Sequence, residues 1–222
     1  VRPLVLLDLD GTLIDSAPGI MSSLRHAFAD LALPVPDDAT LRTFVGPPIH
    51  DSMRAHGVPE DRVEDVVRRY REVFAAGGMY DARVYEGIPD ALAILRGAGR
   101  SLLVATSKPH VYAVPLVRHF GLEGLVDGVF GAPLDESGTK ATVIAEALAS
   151  CGSVGDAFDP ARAVMVGDRE HDVHGAAAHG IRCVGAAWGY APSGELEEAG
   201  AVTVAGTPTE LPTVVAALLR GV

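Results

Sequence analysis

The chain has 222 residues, 48% of them hydrophobic and 21% charged, with a formal net charge of −11. That length suits one large domain, or one domain with a small insertion, and the apolar fraction is enough for a buried core. The acidic balance argues against general nucleic-acid binding, which needs a basic surface, and no apolar stretch approaches the roughly 20 residues that span a bilayer.

The first run, Leu4–Leu7, is too short for a signal-peptide core and leads straight into Asp8-Leu9-Asp10, so it reads as a buried strand. Similar runs at Leu102–Ala105, Ala163–Val166 and Ile181–Val184, and weaker ones at Val126–Phe130 and Val202–Val204, suit strands buried on both faces. Helical patterns lie between most of them, at Asp90–Arg96, Val111–Phe120 and Thr139–Ala149. Alternating strands and helices predict an α/β fold built on a parallel sheet with helices on both faces. Thr207, Pro208 and Glu210 read as a capping box that opens a last helix reaching about Leu219, with Pro212 in its first turns.

From 16 to 83 the alternation breaks. Ile20, Leu24, Ala27, Phe28 and Leu31 recur at helical spacing, as do Val63, Val66, Val67, Tyr70, Val73 and Phe74. This predicts a small helical domain over 16–83, inserted after the first strand of a core made of 1–15 and 84–222. Its hinges fall near Asp15–Pro18 and Met79–Gly87. Gly46-Pro47-Pro48, with His50 and Arg54 nearby, reads equally as a substrate-facing loop or a simple turn. Cys151 and Cys183 match no metal spacing and are expected as reduced, mostly buried thiols of a cytoplasmic protein.

The chemistry-bearing fragments follow apolar runs. Asp8 and Asp10 stand at the carboxyl end of the first strand, the edge where open parallel sheets bind ligands. One residue apart, they can face the same side, and Gly11 permits a sharp turn after them. Asx capping of a loop is the alternative. In Gly167-Asp168-Arg169-Glu170-His171-Asp172 a second run ends in a carboxylate, with Asp172 one helical turn on as its support or as an acid at a helix start. Acids gathered at one strand edge repel unless a cation sits among them, and hard oxygen ligands beside a phosphate favour Mg²⁺. Thr106-Ser107-Lys108 closes a third strand, where a hydroxyl and free amides suit a phosphoryl oxygen or cap a helix. Lys108 and Lys140 are the only lysines among 18 cationic residues. Lys140 opens a helix, where its charge opposes the dipole, so the Asp8 carboxylate and an incoming phosphate are expected to compensate it. His171 and His174 are favoured as surface or supporting groups rather than a metal pair. Trp188 and Tyr190 either flank the site or pack.

D-L-D-G-T at 8–12, T-S-K-P at 106–109, Lys140 and G-D-x-x-x-D at 167–172 together resemble the four ordered motifs of the haloacid dehalogenase superfamily, and the helical insertion resembles the cap of its phosphoglycolate phosphatase-like and β-phosphoglucomutase-like branch. The resemblance implies a Rossmann-like, doubly wound core with an inserted cap. It also implies Asp8 as nucleophile, Asp10 as acid and base, Thr106 on the phosphoryl oxygens, Lys140 as electrostatic partner, and Mg²⁺ held by Asp8, the carbonyl of Asp10 and Asp168, with Asp172 behind them. Gly11, Thr12, Ser107 and Lys108 are the further candidates for binding substrate, and Lys108 is expected to touch it. Asp10 argues against dehalogenation, because dehalogenases carry a non-acidic residue there. The expected substrate is a small phosphorylated metabolite, such as phosphoglycolate or a nucleoside monophosphate. A sugar phosphomutase and a non-catalytic receiver-like module are the alternatives. No nucleic-acid or membrane partner is expected, and the chain is expected as a monomer or homodimer.

Overall fold

The computed structural model describes residues 2–135, 137–151 and 159–219. In chain order the elements are β1 (Leu4–Leu7), β2 (Ile14–Asp15), α1 (Ala17–Asp30), α2 (Asp38–Arg42), α3 (Ile49–Ala55), α4 (Glu60–Ala75), β3 (Arg83–Val84), α5 (Ile88–Gly97), β4 (Ser101–Pro109), α6 (His110–His119), β5 (Gly128–Ala132), α7 (Lys140–Ser150), β6 (Ala163–Gly167), α8 (Glu170–Ala177), β7 (Arg182–Ala186), α9 (Glu195–Glu198), β8 (Thr203–Ala205) and α10 (Leu211–Leu219). They divide into two compact units, 1–14 with 84–222, and 15–83. The chain crosses between the units at β2 and β3, which form a two-stranded sheet.

The larger unit is built on a six-stranded sheet of order β5-β4-β1-β6-β7-β8, and every pairing in it is parallel. All four residues of β1 are buried, as are the five of β6, which explains why these strands read as unbroken apolar runs. Leu4, Leu6, Leu103, Met165 and Cys183 share a core with Val143, Ile144 and Ala147 of α7 and Val173 and Ala176 of α8. Strand period 2 turns Val5 and Leu7 to the opposite face; α5 and α10 pack against β4 and β6. This is a doubly wound, Rossmann-like α/β sheet. The chain runs from β1 out to β5 on one side and then crosses to β6 on the other, which makes the carboxyl end of β1 a topological switch point.

The smaller unit packs α1 on α4. Ile20, Leu24, Ala27 and Phe28 face inward from one helix, Val63, Val66, Val67, Tyr70 and Phe74 from the other. Gly19 lets α1 approach the carbonyl of Gly78 so closely that a β-carbon would overlap it. Between the long helices the chain adds the short α2 and α3, which the sequence reading did not anticipate. Pro48, at the end of the Gly46-Pro47-Pro48 turn, precedes α3 directly.

Three expectations change in detail. β5 starts at Gly128 rather than Val126, because Asp127 is engaged with Leu102: its amide donates to the Leu102 carbonyl and its carboxylate accepts from the Leu102 amide. Thr207 forms no capping box; its hydroxyl bonds the Glu210 carboxylate, which also accepts from Gly206 N, and a 3₁₀ turn at Pro208–Glu210 precedes α10. Cys183 is buried as expected, but Cys151, at the end of α7, is exposed; both are free thiols. Among the described residues, no helix is long and apolar enough to cross a membrane.

Leu6 is fully buried and pairs in register with Leu103 and Met165. Leu6→Ala should therefore cost about 2–5 kcal/mol of stability, read from the urea midpoint at constant slope. A loss below about 1 kcal/mol would remove Leu6 from the centre of this core.

Candidate active site

The site starts from strand register. Leu7 of β1 aligns with Val104 of β4 and with Val166 of β6. The next residues on all three strands therefore emerge at one edge: Asp8 after β1, Thr106 within the end of β4, Asp168 after β6. The Asp8 amide donates to the Val166 carbonyl at 2.9 Å, which fixes where its side chain begins.

Lys140 crosses to this edge from the first position of α7. Its side chain is buried, and its Nζ lies 2.6 Å from Asp8 Oδ1, 2.7 Å from Asp172 Oδ1 and 3.2 Å from the Ala105 carbonyl oxygen. The unfavourable placement of a cation at a helix start is thus compensated by two carboxylates. Asp8 was anticipated in that role; Asp172 was not. Burial opposes the lysine's charge, but Asp172 and Asp8 outweigh it and raise its pKa above the usual lysine value. Asp172 is itself fixed, since its Oδ2 accepts from the Arg169 amide at the start of α8.

Asp168 is fully buried. Tyr190 N donates to its Oδ2 at 2.7 Å, and the Thr12 hydroxyl lies 3.4 Å from its Oδ1. Gly11, at φ +80, and Gly189 press on either side of it, so a β-carbon on either glycine would overlap the carboxylate. Trp188 Nε1 donates to the Thr12 carbonyl at 3.0 Å, tying the loop after β7 to the loop after β1. Neither Gly189 nor the Tyr190 amide was legible in the sequence, because main-chain donors and missing side chains leave no pattern.

Asp8, Asp168 and Asp172 can each offer an oxygen within 4.8 Å of the others. Burial, opposed by Lys140 and reinforced by Asp172 and Asp10, pushes Asp8 up to about 6. Burial and the neighbouring Asp172 and Asp8 raise Asp168 well above the usual carboxylate range. One ammonium among three buried carboxylates leaves an excess of negative charge, and all the donors are hard oxygens. This donor set fits a divalent cation of the Mg²⁺ class. Asp172 is already engaged by Lys140 and Arg169, which leaves Asp8 and Asp168 as the side chains best disposed to hold one.

Asp10 stands apart from this group. Its carboxylate pairs with Lys108, whose Nζ lies 2.7 Å from Oδ2. The Thr106 hydroxyl oxygen accepts from the Lys108 amide at 3.2 Å, which leaves its own proton free to donate. Thr106 and Ser107 cap no helix: α6 begins after Pro109 without a side-chain cap. Thr106 is buried and Ser107 half-buried at the same edge. Thr12 is fully buried with its hydroxyl toward Asp168. His171 is half-buried and shifted down, first by burial and then by Arg169, whereas His174 is exposed; neither belongs to the acidic group.

Replacing Lys140 by Met strands two buried carboxylates. In chelator-treated protein Lys140→Met should lose about 3–5 kcal/mol in a denaturant melt. A melt matching the parent would mean that Asp8 and Asp172 do not depend on this ammonium.

A family model described as haloacid dehalogenase-like hydrolase matches residues 5–186. The tyrosine-protein kinase PtkA of Mycobacterium tuberculosis is 45% identical over 211 residues, covering 94% of this chain and 70% of that protein. A 5'-nucleotidase of Pseudomonas aeruginosa is 40% identical over 196 residues, covering 87% of this chain and 86% of the other. Among solved structures, that of a predicted phosphatase from Clostridium acetobutylicum superposes with a TM-score of 0.89 at 36% identity, over 98% of this chain and 99% of that one. The fold, the four motifs gathered at one sheet edge and these similarities agree: the chain belongs to the haloacid dehalogenase-like hydrolases.

Proposed function

We propose that the chain is a Mg²⁺-dependent phosphatase that hydrolyses small phosphate monoesters, of the nucleoside monophosphate or phosphoglycolate type, through an aspartyl phosphate on Asp8. The observation that carries this reading is the buried Lys140–Asp8 pair, 2.6 Å apart at the carboxyl edge of the central strand, with Asp168 on the neighbouring one. A carboxylate is a weak nucleophile toward a phosphate dianion until charge is screened. Lys140 screens it from one side, and its fixed ion pair with Asp172 prevents it from turning away. Asp8, Asp168 and the main-chain carbonyl of Asp10 would hold Mg²⁺, which when bound neutralises phosphoryl oxygens and keeps Asp8 ionised. Thr106 donates its hydroxyl proton to a phosphoryl oxygen. Asp8 Oδ attacks phosphorus, the ester P–O bond breaks, and Asp10 gives its proton to the departing alkoxide. Asp10 then takes a proton from water as that water attacks phosphorus, releasing phosphate and restoring the Asp8 carboxylate. The helical unit 15–83 is read as a cap domain, and the chain as cytoplasmic.

A second reading keeps the aspartyl phosphate but passes it to an acceptor other than water. The 45% identity to a protein named a tyrosine kinase favours a tyrosine hydroxyl as that acceptor; a sugar hydroxyl would make the chain a mutase. The test is a panel of nucleoside monophosphates, phosphoglycolate and sugar phosphates, with and without Mg²⁺. Stoichiometric phosphate release that stops on chelation is expected. Isomerised sugar phosphate without net release, or label carried to a tyrosine peptide, would replace hydrolysis by transfer. Phosphorylation ending at one equivalent per chain would reduce the protein to a phosphate-accepting module.

Asp8→Asn should abolish turnover, by at least about 10⁴-fold, while leaving the melt of the fold intact; near-normal rates would remove Asp8 as nucleophile. A second expectation concerns the ion. A methyl group at Gly189 overlaps Asp168, so Gly189→Ala should weaken Mg²⁺ binding about 10- to 100-fold by calorimetric titration. An unchanged affinity would mean that Asp168 does not need the 187–190 loop to hold the ion.

A further inference from the structure

We infer that Lys108 is the positioning residue for Asp10, holding one carboxylate oxygen so that the other is presented to the proton it transfers. The inference rests on the reading of Asp10 as acid and base, and it departs from the sequence expectation that Lys108 touches substrate.

Both oxygens of Asp10 support it. Oδ2 is 2.7 Å from Lys108 Nζ, with side-chain exposures of 13% and 5%. Oδ1 is buried and has no hydrogen-bond partner among the described residues. Buried carboxylate oxygens are satisfied almost everywhere in folded proteins, so one left open at a sheet edge awaits a donor from outside the chain. The attacking water of the second half-reaction is such a donor, and in the first half-reaction the same oxygen, carrying a proton, donates it to the leaving-group oxygen. The lysine therefore does more than neutralise a charge: it fixes which of two equivalent oxygens does the chemistry.

Lys108 is itself held by the backbone. β4 shifts register against β5 between Thr106 and Pro109, and within that irregularity the Lys108 amide bonds the Thr106 hydroxyl. On the β5 side Gly131 lies against the Lys108 carbonyl and the His110 backbone, where a β-carbon would come within 2.7 Å of the carbonyl oxygen. The ammonium on Asp10 and the hydroxyl assigned to the phosphoryl group thus hang from one rigid three-residue segment. Displacing the ammonium should disturb the timing of proton transfer and leave substrate affinity alone.

In the second half-reaction the water O–P bond forms as its O–H bond breaks. The proton goes to Asp10 Oδ1, and the electron pair of the breaking acyl P–O bond returns to Asp8. With p-nitrophenyl phosphate the first half-reaction needs no proton, because nitrophenolate leaves unaided. A misplaced Asp10 should then slow only the second half. The experiment is rapid-quench kinetics of the full chain with Mg²⁺ and p-nitrophenyl phosphate, comparing the parent, Lys108→Met, Lys108→Arg, Asp10→Asn and the Lys108→Met/Asp10→Asn double variant. Lys108→Met should show a burst near one equivalent, trapped aspartyl phosphate, kcat lower by roughly 10²-fold and KM within about threefold. Lys108→Arg, which keeps a cationic donor, should recover part of kcat. The double variant should be no slower than Asp10→Asn, because the lysine acts through the aspartate. Should Lys108→Met fail to fold, the fall in kcat at constant KM in Lys108→Arg reads the same effect. A tenfold rise in KM at constant kcat would overturn the inference and make Lys108 a substrate contact. Additive losses in the double variant would overturn it as well, as would parent-like kinetics in both Lys108 variants. If Asp10→Asn itself neither slows turnover nor accumulates phosphoenzyme, the acid–base reading of Asp10 falls. If it does both and Lys108→Met behaves as the parent, only the role given to Lys108 falls.

Discussion

Three carboxylates share one buried strand edge, and much of the larger unit is arranged around that. At an effective dielectric of about 20, two unit charges about 4 Å apart interact by roughly 4 kcal/mol. Lys140 attracts Asp8 and Asp172 about as strongly as the acids repel one another, so the Coulomb terms nearly cancel. The desolvation of four charged groups then remains uncompensated. The outcome is visible in Asp8, pushed up to about 6, and in Asp168, raised well above the usual carboxylate range by burial. A fold selected for stability alone would place leucines here. The cluster makes physical sense as one part of a site whose remaining positive charge arrives with a divalent ion.

Close packing around these charges comes from glycine. Gly11 and Gly189 lie against Asp168, Gly167 lies against Asp172, and Gly175 of α8 lies against the aliphatic stem of Lys140, where an added β-carbon would sit 2.6 Å from Cγ. Each takes away a side chain so that backbone can be the wall. A wall of backbone is stiff, and it also supplies donors, as the Tyr190 amide does for Asp168. Main chain therefore helps to locate the charged groups, alongside the ion pairs they make with one another.

The strand ends were legible because each is a short apolar run stopped by a chemistry-bearing residue, as at Leu7–Asp8 and Val166-Gly167-Asp168. The parallel sheet followed from the alternation of such runs with helical patterns. The rarity of lysine pointed to Lys140 and Lys108, and the adverse helix dipole at Lys140 predicted that an acid must meet it. The sequence did not show that Asp172 shares this lysine, since one residue satisfying both a helix start and a distant ammonium leaves a single Asp in the pattern. Nor did it show the partner of Lys108, because the Lys108–Asp10 contact spans 98 positions and depends on a register shift in β4. The short helices α2 and α3 were missed for a different reason: five and seven residues are too few to display a period.

Asp8 and Asp10 leave the same strand end, and the proposed chemistry requires opposite behaviour of them: one must stay ionised to attack, while the other must carry a proton and give it up. Adjacent carboxylates left to themselves would couple, and Asp10 does push Asp8 upward. The fold holds them apart by giving each its own ammonium from a different element, Lys140 from α7 to Asp8 and Lys108 from β4 to Asp10, so that each is held in place by one oxygen. An arginine would serve poorly at either place. A planar guanidinium engages carboxylates in a bidentate fork and would occupy both oxygens, whereas a compact ammonium holds one and leaves the other open. In a chain that uses arginine for every other permanent cation, lysine stands at the two points where a carboxylate has to be held by one oxygen and used by the other.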